Sequence, residues 1–96
     1  MMDLSEVQSK RHEIFNLAKQ YGIKSIRLFG SIVTGMNTPE SDIDFLVEVE
    51  SEWSLLDRIA LIQELEELLD CPVDLVQAKS LHWYVQDKIL SEAVQL

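Results

Sequence analysis

The sequence predicts an α/β fold, or its α+β variant, with a small mixed β-sheet flanked by helices. Three observations point there. Helical and strand periodicities alternate along the chain in the order α-β-α-β-α-β-α. The strand-like runs are short, at Lys24 to Phe29, Asp42 to Val49 and Val73 to Val76. Ninety-six residues, 47% of them hydrophobic, are enough for one modest core, so residues 1–96 are expected to form a single domain.

Each element has its own signal. Leu4, Val7, Ile14, Ala18 and Tyr21 form one stripe across residues 3–21, and Gly22 follows as a stop, which predicts a first helix. From Lys24 to Phe29, Ile26 and Leu28 alternate with Ser25 and Arg27 as in a strand. The chain then turns at Gly30. Ser31 suits a helix N-cap, while the β-branched run Ile32-Val33-Thr34 and Gly35 allow only a short helix before the loop Asn37 to Ser41.

Asp42 to Val49 is the clearest strand. Ile43, Phe45, Val47 and Val49 share one face, and Asp42, Asp44, Leu46 and Glu48 the other. Ser54 is placed to cap a helix running to about Leu69, whose apolar side would be Leu55, Leu56, Ile59, Ile62, Leu65, Leu68 and Leu69. Asp70-Cys71-Pro72 ends it. Val73 to Val76 is a third strand, and Ser80 opens a last helix through Ala93 with Leu81, Val85, Ile89 and Ala93 on its buried stripe. A three-stranded sheet with one mixed strand pair is expected.

Composition excludes several classes. No run approaches the roughly 18 apolar residues of a membrane span, and the N-terminus lacks a basic-then-apolar signal pattern, so a soluble cytoplasmic protein is expected. Cys71 has no second cysteine to pair with and reads as a buried thiol. The net charge is −9, and residues 40–74 hold twelve acids against one base, Arg58. Such a surface argues against direct nucleic-acid binding, which needs clustered Lys and Arg. It suits a cation or a basic protein. Glu64, Glu66 and Glu67 are expected on a solvated helix face.

The acidic face of the second strand carries the chemistry. Asp42 and Asp44, at i and i+2, project the same way with Cα atoms about 7 Å apart, and Asp74 joins them if its strand pairs alongside. Carboxylates gathered there repel one another unless a cation is bound, and Mg²⁺ prefers such oxygen ligands. His12 and His82 are too far apart in the chain to suggest a zinc site. Gly30 and Ser31 complement the acids, because glycine admits a close ligand and amides at a helix start attract phosphate. A triphosphate between these two halves, with two Mg²⁺ on the aspartates, predicts nucleotidyl transfer by in-line displacement at phosphorus.

Gly30-Ser31, ten residues, then Asp42-Ile43-Asp44 resembles the GSx10DxD signature of the DNA polymerase β-like nucleotidyltransferase superfamily. The short chain resembles its minimal nucleotidyltransferase (MNT) branch nearly end to end, through LFGS, SDIDFLVE, VDLV and the closing KILSEAVQL. The resemblance implies a polymerase β-like fold, catalytic and Mg²⁺-binding roles for Asp42, Asp44 and Asp74, and a nucleotide phosphate site at Gly30 and Ser31. It also implies an antitoxin that transfers AMP from ATP to a tyrosine of a cognate HEPN-domain RNase toxin and so silences it. This chain departs from the pattern at Thr34, where many relatives carry arginine, and at Ile32. Two alternatives stay open: an antitoxin that acts only by occluding its toxin, and a nucleotidyltransferase that modifies a small molecule with help from a partner subunit.

Overall fold

The computed structural model describes residues 3–50 and 53–96, and these form a mixed four-stranded sheet with helices. The first helix is broken in two. Helix α1 (Leu4–Ser9) is capped by Asp3, which accepts the Glu6 amide at 2.8 Å, and α2 (Arg11–Gln20) follows a kink at Lys10. At the break the Lys10 backbone leaves the helical region, and its Nζ reaches across to donate to the Leu68 carbonyl at 2.9 Å. A single straight helix was the expectation from periodicity, and the stripe survives the kink because Val7, Ile14 and Ala18 are all buried. Gly22, at φ 74°, ends α2 as expected.

Strand β1 (Ile23–Phe29) starts one residue earlier than its alternation suggests. The register shifts between Ile23 and Ser25, and this irregularity puts Ile23 and Ile26 both in the core, so the simple two-residue period fails there. Gly30 caps the short helix α3 (Ser31–Thr34), and Ser31 is its first helical residue rather than its cap. The following loop closes on itself: the Ser41 amide donates to the Thr38 carbonyl, and the Thr38 amide donates to Ser41 Oγ. It delivers the chain into β2 (Ile43–Val49).

Helix α4 (Leu55–Leu69) begins at Ser54 with a reciprocal capping box to Asp57 and ends at Asp70 in the left-handed region. Strand β3 (Val73–Gln77) follows, then a 3-10 turn at Ala78–Ser80 and helix α5 (Trp83–Glu92). The last helix is therefore capped at His82, two residues after Ser80, and it stops before Ala93. Val94 and Gln95 form a fourth strand, β4, that pairs antiparallel with β1 and corrects the three-stranded expectation. Two residues are too short for a readable strand period.

The sheet order is β3-β2-β1-β4, with β2 antiparallel to β1 and parallel to β3. Ile26, Leu28, Ile43, Phe45, Val47, Val73 and Leu75 form its inner face and cluster with Val7, Ile14, Leu61, Leu65 and Leu69 of the helices. Phe45 is fully buried at the centre. The opposite face carries Arg27, Asp44, Glu48 and Asp74. Among the described residues no helix is long and apolar enough to cross a membrane.

Candidate functional site

The parallel pairing of β2 and β3 sets Asp44 directly beside Asp74, on strands about 4.8 Å apart and on the same outer face. On its other side Asp44 is in register with Phe29, the last residue of β1. Asp42 lies just ahead of the first β2 residue, exposed, where the Thr38–Ser41 turn releases the chain. Asp44 and Asp74 are half-buried. All three predicted acids thus stand at one end of the sheet.

Their mutual repulsion is visible at Asp44. Burial pushes its carboxyl above the ordinary value, and the charges of Asp74 and then Asp42 push it further the same way. This is the expected response of like charges held together without a cation. Asp74 has partial relief. Arg58 Nη2 lies 3.3 Å from Asp74 Oδ1 and donates to the Leu75 carbonyl at 2.8 Å, so one guanidinium nitrogen serves both the acid and the outer edge of β3. Among the described residues, no three His, Cys, Asp or Glu side chains stand as a formed metal cage.

Gly30 joins the turn to the acids. Its backbone sits at φ 80° and ψ −152°, a region open essentially to glycine. A Cβ added there would land on Asp44 Oδ2 and come within 3.3 Å of its Cγ. The turn therefore touches the central carboxylate through bare backbone. Ser31 follows immediately, and the carbonyls of both residues serve the short helix: Gly30 accepts the Val33 and Thr34 amides, and Ser31 accepts the Met36 amide. The Thr34 hydroxyl donates to the Ser31 carbonyl at 3.2 Å, which ties this side chain to its own turn instead of sending it toward the acids.

A cavity of about 450 Å³ opens beside Asp42, beneath the Asn37–Ser41 loop, with Ile32, Ile43, Leu69 and Cys71 among its walls. Cys71 is partly rather than fully buried, and burial, followed by Asp70 and Glu66, pushes its thiol up. Glu66 also departs from the expected solvated role, since its Oε2 accepts the Val73 amide at 3.0 Å and fastens the start of β3. Arg58 is the neighbour that sequence reasoning missed. Its signal was its isolation as one base among twelve acids, one helix ahead of the strand carrying Asp74.

The family model described as a nucleotidyltransferase domain matches residues 11–96. The protein adenylyltransferase MntA of Thermococcus cleftensis is 38% identical over 96 residues, covering 98% of this chain and 96% of that protein. A minimal nucleotidyltransferase structure superposes with a TM-score of 0.87 at 35% identity, covering 99% of this chain and 97% of the other. A tri-AMPylated HEPN toxin of Shewanella oneidensis in complex with its MNT antitoxin is matched with a TM-score of 0.69 at 27% identity, over 92% of this chain and 69% of that one.

Proposed function

Because the chain belongs to the nucleotidyltransferase domain family, we propose that it transfers AMP from ATP to a tyrosine of a cognate HEPN-domain toxin and thereby neutralises it. The observation that carries this reading is the contact of Gly30 with Asp44. It supports a single site in which the Gly30–Ser31 turn would take the phosphates beside the carboxylates, with the cavity of about 450 Å³ next to Asp42.

The donor set fits Mg²⁺. Every candidate ligand is a carboxylate oxygen, and of the causes that raise Asp44, burial first and then the charges of Asp74 and Asp42, the second is the kind a divalent cation offsets. Asp42, Asp44 and Asp74 would hold it. A divalent cation held by these carboxylates would supply neutralisation of phosphate charge and favour ionisation of the acceptor hydroxyl. Gly30 and Ser31 hold the triphosphate by backbone approach and hydroxyl donation. The tyrosine oxygen forms a bond to the α-phosphorus as the bond from that phosphorus to the departing pyrophosphate breaks. Asp74 takes the tyrosine proton, its Oδ2 being the oxygen away from the Arg58 contact.

Occlusion without transfer is the second reading, and Thr34 favours it, because its hydroxyl is engaged on Ser31 at the position where the resemblance implies an arginine. Toxin RNase activity measured with wild-type chain and with Asp42→Ala plus Asp44→Ala separates the two. Transfer predicts that the double variant still binds the toxin but no longer silences it. Silencing that survives the double change would establish occlusion.

A further inference from the structure

Of the predicted apolar stripe of α4 only Leu65 and Leu69 are fully buried, joined by Leu61, which the stripe did not include. Leu55, Leu56 and Ile59 are 67%, 77% and 43% exposed. Helix α5 repeats the pattern: none of its residues is fully buried, and its first turn shows Trp83 and Tyr84 at 78% and 65% exposure. His82, Trp83 and Tyr84 are in ring contact with one another, so these side chains are arranged on the surface. One shallow groove of about 240 Å³ lies at the β3 edge between the two elements, walled by Arg58 of α4, by Leu75, Val76 and Gln77, and by Ser80 ahead of α5. Arg58 lies within the helical turn of Leu55 and Ile59, and Ser80 lies three residues before Trp83. The same Arg58 touches Asp74.

We infer that this surface is where the protein acceptor docks, as a folded protein with apolar side chains set in a basic surround. The inference rests on the transfer reading for the existence of that acceptor. Two features choose this occupant. The groove is continuous with the candidate site through Arg58 and Asp74, so a protein seated on it carries its hydroxyl over the edge of β3 to the aspartates. Charge decides against a second copy, which would bring another −9 chain and another acidic 40–74 segment against Asp57 and Asp74. Large exposed apolar side chains clustered beside a site mark protein contact, and Trp, Tyr and Leu truncations there remove binding energy without unfolding the monomer.

Leu55→Ser and Trp83→Ser test this, with Phe15→Ser on α2 as control. Affinity for the purified HEPN-domain protein encoded beside this chain is measured by calorimetry, with thermal melting and Mg²⁺-dependent AMP-PNP binding recorded for each variant. Each groove variant should bind the HEPN protein about 30-fold or more weakly, while melting and AMP-PNP binding stay at wild-type values. The control should bind as wild type. Unchanged affinity in both groove variants overturns the inference, as does a result in which they only dissociate a self-associated wild-type chain. The two readings fail separately: AMP gained by the HEPN protein with affinities unmoved sinks docking alone, and docking lost in the variants with no AMP ever gained sinks transfer alone.

Discussion

Gly30 does two jobs that no other residue type can combine. It adopts a backbone conformation costly for any side chain, and it leaves room for Asp44 Oδ2. Gly30→Ala should abolish transfer and destabilise the fold by about 1–3 kcal/mol, seen as a lowered denaturant midpoint. Asp44→Asn should separate function from folding. Activity is lost, but melting in the absence of Mg²⁺ stays level or rises, because an ionised carboxylate is no longer half-buried there beside the charges of Asp74 and Asp42. The sign with pH follows from a folded-state value raised above the unfolded one. Wild type keeps this contribution below about pH 4 and loses it as pH rises through the raised value, so melting curves of the two proteins should coincide in acid and diverge toward neutrality. Divergence in acid that vanishes at neutrality would contradict the repulsion. At this scale the GSx10DxD spacing exposed the residues of the candidate site, because ligand chemistry is carried by residue type. Arg58 was hidden, since its pairing depends on α4 lying against the β3 edge.

Among the elements, β2 is the one on which the rest depends. Its inner face supplies Ile43, Phe45 and Val47 to the core while its outer face presents Asp44. Phe45→Ala should cost about 3–5 kcal/mol in chemical denaturation, far more than any change to the aspartate beside it. A cost below 1 kcal/mol would mean that the core is centred elsewhere. Strong alternation made β2 readable, and the Ser54 box and Asp70 stop made α4 readable, since both signals are local. The kink at Lys10, the irregularity at Lys24 and strand β4 are not local. Each involves a partner distant in sequence: Leu68 for Lys10, Val49 and Glu48 for the start of β1, and Arg27 and Leu28 for Val94 and Gln95. Helix α5 was misread for a related reason. An apolar stripe says that a face seeks cover, and it does not say that the same chain supplies it.

For the molecule as a whole, the acidic charge and the uncovered apolar surface describe one partner from two sides. A chain of −9 with Leu55, Leu56, Trp83 and Tyr84 outward is suited to a basic protein with an apolar patch. The candidate aspartates stand at one end of the sheet with Asp42 exposed, so recognition of the acceptor must come from docking and the chemistry from the aspartates. Intact mass spectrometry of the cognate HEPN-domain protein, after incubation with this chain, ATP and Mg²⁺, tests that account most directly. Transfer predicts a mass gain of one or more AMP units, lost with a metal chelator and lost with Asp42→Ala plus Asp44→Ala. An unmodified HEPN protein that is nonetheless silenced would contradict it.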